Sequence, residues 1–303
     1  MQQTVLILGG SGKIGAHTAA AFWNAGWSVR HFDRKTDDMV TAAQGVDVIV
    51  NGLNPPNYHN WGTLIPQITD QVIAAAKASG ATVIIPGNIY NFGDQPGVFD
   101  EHTPQTAITR KGQIRIAMEE AYRASGVQNI VLRAGNFIDP DQNGDILSML
   151  MLKKALKGKI TTLGDPEAMQ AYAYVPDWAR AALALAEIRD SLAPFEDVPF
   201  PGHAFTTAEL ARHIAFVTGR EMHVATFPWW AMSLLSPFWE LAREFKEMRY
   251  LFNIPHEISG TKFHRLLPDF TPTPLDRVME AGLPADVDPN QVMRASRRAI
   301  AAE

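Results

Sequence analysis

The chain contains no cysteine. That excludes a disulfide framework, a thiolate nucleophile and a cysteine-ligated zinc site. It also lacks a cationic excess: 27 Lys and Arg stand against 32 Asp and Glu, a formal net charge of −5. Nucleic-acid binding therefore has no electrostatic footprint here, and no Lys/Arg-rich block marks an anionic membrane surface. Long hydrophobic runs are missing too. The longest, Val224 to Trp239, is too short for a bilayer span and is interrupted by Pro228 and Pro237. Its length predicts a buried helical segment, with a dimer face or a membrane-surface contact as alternatives. The first residues enter an apolar strand pattern at once, without the regions of a signal peptide, so a cytoplasmic protein is expected. His59, His203, His256 and His264 show no metal-ligand spacing, and no metal is expected. No internal repeat or low-complexity segment is present.

What is there alternates. Val5 to Leu8 is a fully apolar strand, followed by a glycine turn and a helix from Lys13 to about Ala25, with Gly26 suited to its left-handed C-terminal position. A second strand, Trp27 to Phe32, ends at Asp33. The strand "VDVIV", the alanine-rich helix "DQVIAAAKASG" and the strands "ATVIIPG" and "QNIVLRAG" continue the pattern. Apolar strands alternating with helices predict an α/β fold, a Rossmann-type doubly wound parallel sheet over residues 1–145 with ligands at the carboxyl ends of its strands. Between Asp33 and Val46 there is hardly room for a helix and a strand, so the usual edge strand is expected to be absent or vestigial. Residues 146–303 read as a smaller, helix-rich substrate-binding lobe, with residues 170–190 returning to the first domain. "DILSMLMLKKALKG" predicts one helix ending at Gly158, and Thr206 and Glu209 are spaced as a capping box.

"GGSGKIG" places Gly9, Gly12 and Gly15 between a buried strand and a helix, with an acid, Asp33, at the end of the next strand. This is the dinucleotide fingerprint: glycines let the backbone approach a pyrophosphate that rests on the helix N-terminus. Asp33 should accept hydrogen bonds from the adenine-ribose hydroxyls and repel a 2′-phosphate, which favours NAD. Arg34 and Lys35 could bind that same phosphate and keep NADP open. Lys13, Ile14, Gly52, Leu53, Asn54 and Pro86, at the turn and the following strand ends, complete the expected cofactor set.

The glycine turn, "VDVIV", "RAGNFIDP" and "YAYVPDWARA" together resemble the extended short-chain dehydrogenase/reductase superfamily, of NAD-dependent epimerase/dehydratase type. "RAGNFIDP" is similar to its R-P-G-N-x-Y-G-P segment and "YVPDWARA" to its V-x-D-x-A element. The resemblance implies NAD(P) chemistry and a homodimer. It also implies a Ser and a Y-x-x-x-K motif, whose Tyr exchanges the substrate proton while its Lys binds the nicotinamide ribose. Taking Glu119 as the glutamate after that motif, the tyrosine position holds Lys111 and the lysine position Arg115. The serine region reads Pro86, Gly87, Asn88. "NPPNYHNW", "PGNIYNFG" and "RKGQIR" instead resemble an atypical branch, with K-G-x-x-R replacing Y-x-x-x-K.

Arg115 stays charged, so it can bind a ribose hydroxyl, a phosphate or a carboxylate but cannot exchange protons. Lys111 or Tyr90 could handle the proton, and Asn88 could polarise a carbonyl. Asn136 and Trp61 are candidates for substrate contact. The bland alternatives are a solvated Lys111–Arg115–Glu119 stripe with an Arg115–Glu119 surface pair, a packing role for Tyr90 and a turn role for Asn88. The expected function is an NAD(P)-dependent oxidoreductase or epimerase-like enzyme acting on a small carbonyl, alcohol or sugar-derived substrate. The alternative is a non-catalytic NAD(P)-binding sensor.

Overall fold

In the computed structural model, which describes residues 2–141 and 144–283, the first apolar run is strand β1 (Thr4–Leu8), buried at every position. Helix α1 (Lys13–Asn24) follows the glycine turn and stops where Gly26 takes a φ of 84°. Then come β2 (Ser28–Phe32), the short α2 (Met39–Ala42), β3 (Val48–Asn51), α3 (Trp61–Ser79), β4 (Thr82–Gly87), β5 (Gly97–Phe99), α4 (Arg110–Ser125) and β6 (Asn129–Arg133). The second half contains β7 (Asn136–Ile138), β8 (Lys159–Thr162), β9 (Gln170–Tyr174), α5 (Val175–Glu187), β10 (Phe195–Pro199), β11 (His203–Phe205) and α6 (Thr207–Thr218). It ends with β12 (His223–Thr226), α7 (Trp229–Leu235), α8 (Glu240–Glu247), β13 (His256–Ile258), α9 (Thr261–Leu266) and α10 (Leu275–Glu280).

Six strands form an all-parallel sheet in the order β10-β6-β4-β3-β1-β2. Successive side chains of a strand point to opposite faces, and both faces here are buried. Val5 and Ile7 join the layer of Phe22 from α1 and Trp178, Ala181 and Leu185 from α5. Leu6 and Leu8 join Val72 and Ala76 from α3 and Met118 and Tyr122 from α4. Strand order reverses between β1 and β3, so a ligand crevice opens outside their carboxyl ends. β2 is the edge: the Asp33–Val46 connection holds only the four residues of α2 as regular structure. The opposite edge, β10, comes from beyond residue 190, further along the chain than the sequence pattern returned to this sheet.

Three small sheets, β11-β9-β7, β12-β8 and β13-β5, complete the described strands. The Thr206–Glu209 capping box closes reciprocally, with Oγ1 accepting from the Glu209 N–H and the carboxylate from the Thr206 N–H. Two expectations fail. "DILSMLMLKKALKG" is not one helix: Leu147–Met151 is a π-turn and Ala155–Lys157 a single 3-10 turn. The Leu152 N–H donates to Leu147 O at 2.8 Å. That wider step lets Leu147, Met151 and Leu152 all reach one small core. The Val224–Trp239 run is not a buried helix either. Trp229 packs against Phe245, but Trp230 is 74% and Phe238 92% exposed, because the seven-residue α7 seats only one side. None of the described helices is long and apolar enough to cross a membrane. The part of the C-terminal lobe after residue 283 lies outside the described residues.

Candidate active site

The glycine turn is built by close backbone approach. Gly9 has a φ of 78°, and a Cβ there would meet the Gly52 backbone at 3.0 Å. A Cβ on Gly15 would lie 2.2 Å from Gly9 O, so this glycine lets α1 pack on the β1 turn. Gly12 differs: its N–H donates to Gly9 O, and an added Cβ would have only that oxygen nearby, at 3.4 Å. Gly12 is thus the glycine that faces open space, where a ligand would approach the N-terminus of α1.

A cleft of about 450 Å³ opens at the switch point. Gly12, Lys13 and Ile14 line one end, and Gly52, Leu53, Asn54 and Pro86 the walls between β3 and β4. Asn88, Tyr90, Arg115, Trp61 and Asn136 line it as well. Lys13 donates from Nζ to Gly144 O at 2.8 Å. Burial lowers its pKa, against the pull of Asp145 and Asp139. Gly9 and Gly15 support the turn from behind. Asp33 and Arg34 lie on the exposed end of β2, outside the cleft wall; the Asp33 carboxylate accepts from Lys35 N–H at 2.9 Å.

Helix α4 decides the fate of the Lys111–Arg115–Glu119 stripe. Thr109 caps its N-terminus by accepting from Gly112 N–H, and all three residues turn inward, Lys111 to 1% and Arg115 to 9% exposure. A solvated face is excluded. Yet the three separate chemically. Lys111 does not line the cleft; its ammonium donates to Glu244 and to Glu247, the latter at 2.6 Å, and sits 5.0 Å over the Tyr58 ring. Glu119 does not pair with Arg115. Its two oxygens accept from Arg133 at 3.1 and 2.7 Å, and Arg133 also binds Asp197. Burial opposes the Arg133 charge, but the two carboxylates outweigh it and raise its pKa. The same guanidinium donates to Asn88 O at 2.7 Å, which pins the end of β4.

Arg115 remains at the cleft wall. It donates from one terminal nitrogen to Asn54 Oδ1 at 3.0 Å and stacks 4.7 Å from the centre of the Trp61 ring. Burial lowers its pKa, opposed by the fields of Tyr90 and Glu119. Asn88 Oδ1 accepts from the Tyr90 N–H at 2.9 Å, which leaves the amide NH2 as its donor group.

One site residue goes beyond the sequence-based set. Tyr58 lines the cleft, with its hydroxyl 3.4 Å from that of Tyr90. The field of Tyr90, then burial, push its pKa well above the ordinary phenol value, with Arg115 pulling the other way. Asn57, Tyr58 and Asn60 all hold positive φ, 54°, 60° and 47°. Asn tolerates that region, whereas an aromatic residue there is strained. Such strain persists only where surrounding contacts over-determine it. The signal in the sequence was the Asn-Pro-Pro-Asn-Tyr run itself, dense in turn-forming residues. From the far lobe, Leu241 of α8 also reaches the cleft. Outside it, and unforeseen in the sequence, His17, Asp139 and Asp141 form the one His/acid trio among the described residues close enough to share a cation. His17 Nε2 lies 2.8 Å from Asp139 Oδ1.

Comparison with known proteins bears on the fold and the family. No curated protein matches the chain significantly. The fold matches MoeE5 in complex with UDP-glucose and NAD at a TM-score of 0.72 and 16% identity, covering 96% of this chain and 99% of that one. It matches the Bacillus cereus UDP-glucuronic acid 4-epimerase, in complex with UDP-glucuronic acid and NAD, at 0.74 and 14% identity over 97% and 100%. The Brucella ovis UDP-glucose 4-epimerase in complex with NAD matches at 0.63 and 19% identity over 74% and 85%. These identities establish the fold alone. The sequence profile of the NAD dependent epimerase/dehydratase family matches residues 5–198, more than half of the chain, and the protein belongs to that family.

Proposed function

We propose that the cleft binds NAD with a small carbonyl, alcohol or sugar-derived substrate. On this reading the protein is an NAD(P)-dependent oxidoreductase or epimerase-like enzyme. Its acid/base group is the phenol pair Tyr58 and Tyr90, in place of the Y-x-x-x-K tyrosine. The observation that carries the reading is the meeting of both phenols, Asn88 and Arg115 in one cleft with the glycine turn. The solved relatives hold NAD with UDP-glucose or UDP-glucuronic acid, which supports the same cofactor and a sugar-derived substrate here.

The residues present fit the cofactor. Gly12 leaves open the space that a side chain would fill, at the positive end of α1. Gly12, Lys13 and Ile14 would hold the pyrophosphate side, with Asp33 on the adenine ribose. Gly52, Leu53, Asn54 and Pro86 would form the wall towards the nicotinamide. When bound, NAD supplies the hydride acceptor or, reduced, the donor.

The chain's own groups do the rest. Tyr90 exchanges the proton with the substrate oxygen, and the Tyr58 hydroxyl shares it across 3.4 Å. Tyr58 rests as the neutral phenol, because its raised pKa keeps the proton on, so the pair begins as a donor. Asn88 NH2 donates to the developing oxyanion. Arg115 takes no proton and stabilises charge that develops on the phenols. Lys111 has no proton-transfer role in this scheme, since its ammonium is committed to Glu244 and Glu247.

The test is single-turnover oxidation of bound NADH against a panel of aldehydes, ketones and UDP-sugars. Tyr90→Phe and Tyr58→Phe should each slow it by about a hundredfold or more. Wild-type rates in both would overturn the phenol assignment, and a wild-type protein that binds NADH but oxidises it with none of the panel would favour the sensor alternative. Parallel titrations should show tighter binding of NADH than NADPH; the reverse order would overturn the role given to Asp33.

A further inference from the structure

Arg115 is a buried cation without a counterion among the described residues. Among the described residues no carboxylate lies within the 4.0 Å of an ion pair from it. Glu119, on the same helix, has both oxygens engaged by Arg133. Of the Arg115 donors, one meets Asn54 Oδ1, one faces the Met118 sulfur at 3.5 Å, and Nε has no acceptor. The Trp61 face recovers only part of the lost hydration. A buried charge left unpaired is strongly unfavourable. Arg133, fully buried in the neighbouring strand, shows the usual remedy, with two carboxylates around it. Arg115 differs in standing on the wall of an open cleft, where a ligand can supply the missing charge.

We propose that Arg115 is the seat of a carboxylate carried by the substrate, so that the cleft takes hydroxy or oxo acids, sugar acids included. This rests on the reading above in placing the substrate at the Tyr58–Tyr90 end. The guanidinium fork matches a carboxylate in shape and hydrogen-bonding direction. The surroundings suit a monoanion rather than a phosphate. They offer one uncompensated cation on the cleft wall, flanked by Trp61, Tyr58 and Met118, while the nearby Lys111 lies outside the lining and is already neutralised by Glu244 and Glu247. The other cation of the cleft wall, Lys13, stands at the glycine turn beside Gly144 and serves the pyrophosphate end.

Acetate, acetamide and inorganic phosphate are the probes, titrated at constant ionic strength into the NAD-saturated protein and followed by calorimetry and thermal shift. Acetate should bind saturably, and acetamide, its neutral isostere, at least about tenfold more weakly. Arg115→Gln should abolish the preference, whereas Arg115→Lys, a point charge without the fork, should keep part of it. Equal binding of acetate and acetamide, or an acetate preference that survives in Arg115→Gln, would overturn the proposal. So would an Arg115-dependent response to phosphate alone, or loss of acetate binding when NAD is added, which would make the cofactor the source of the anion. If NAD fails to bind at all, the functional reading falls while the acetate titration of the unliganded protein still reports on Arg115. Folding of Arg115→Gln is checked by its thermal transition, which should not fall, since the substitution removes an unpaired charge.

Discussion

Lys111 and Glu247 meet twice: the lysine Nζ donates to Oε2 at 2.6 Å and its backbone N–H to Oε1 at 3.0 Å. Two elements far apart in sequence, the first turn of α4 and the last turn of α8, are fastened by one lysine and one carboxylate. Glu244 adds a second acceptor, and His59 binds Glu240 at 2.8 Å on the same helix. Because α8 carries Leu241 into the cleft wall, this latch holds α8 against the helix that carries Arg115.

Lys111→Met should therefore be a stability and assembly variant. Removing a fully buried cation leaves two largely buried carboxylates facing each other, a loss of about 3 kcal/mol. Glu247→Gln should lose less, since Glu244 still pairs. Urea unfolding measures both. Substrate affinity should fall with α8 loosened while NADH affinity holds, because the glycine turn is untouched. Unchanged stability in Lys111→Met would mean that the latch contributes nothing.

Gly12 and Gly15 make opposite predictions despite sharing one motif. A Cβ at Gly15 would lie 2.2 Å from Gly9 O and 2.8 Å from Gly10 Cα, all backbone that cannot yield. Gly15→Ala should therefore destabilise the fold by about 3 kcal/mol or more. A Cβ at Gly12 would meet only Gly9 O, at 3.4 Å. Gly12→Ala should keep its thermal midpoint within a few degrees and still lose NADH binding, because the methyl occupies the approach to the α1 N-terminus. Thermal unfolding alongside fluorescence titration separates the two, and a Gly12→Ala protein with normal NADH affinity would place the pyrophosphate elsewhere.

Much of this was legible in the sequence because it is local. The apolar strands, the glycine turn, the Gly26 stop and the Thr206–Glu209 box depend on residues a few positions apart. So did the missing edge strand, read from the short Asp33–Val46 connection. The partners of buried charge were not legible. Glu244 and Glu247 lie 133 and 136 residues from Lys111, and no periodicity announces such a pair. Glu119 sits one turn from Arg115, the favoured helical spacing, yet binds Arg133 on the adjacent strand. A buried carboxylate follows the best-placed guanidinium, not the nearest in sequence. Tyr58 escaped because its position depends on consecutive left-handed residues, a conformation that propensity assigns to glycine and asparagine.

The buried phenols set the alkaline limit of the fold. Burial raises the pKa of Tyr122, which accepts from Asn51 Nδ2, and of Tyr172, and pushes Tyr250 up to about 12. Tyr58 is raised by Tyr90 and by burial. The unfolded phenol titrates near pH 10. A folded pKa above the unfolded one means that the native state binds the proton more tightly. Each such phenol contributes its stability in full below about pH 10 and loses it as pH rises through the raised folded value. Where a fully buried phenol stays protonated while its unfolded counterpart has ionised, stability falls by about 1.4 kcal/mol per pH unit. The urea midpoint should thus hold up to about pH 10 and decline steeply above it. Phenolate absorbance should show most of the tyrosines ionising only with unfolding. Tyr122→Phe removes one titrating phenol and should flatten the decline by about that single increment. A midpoint independent of pH across this range, or phenolate absorbance that rises fully before unfolding, would show that these side chains are not held in the buried positions described.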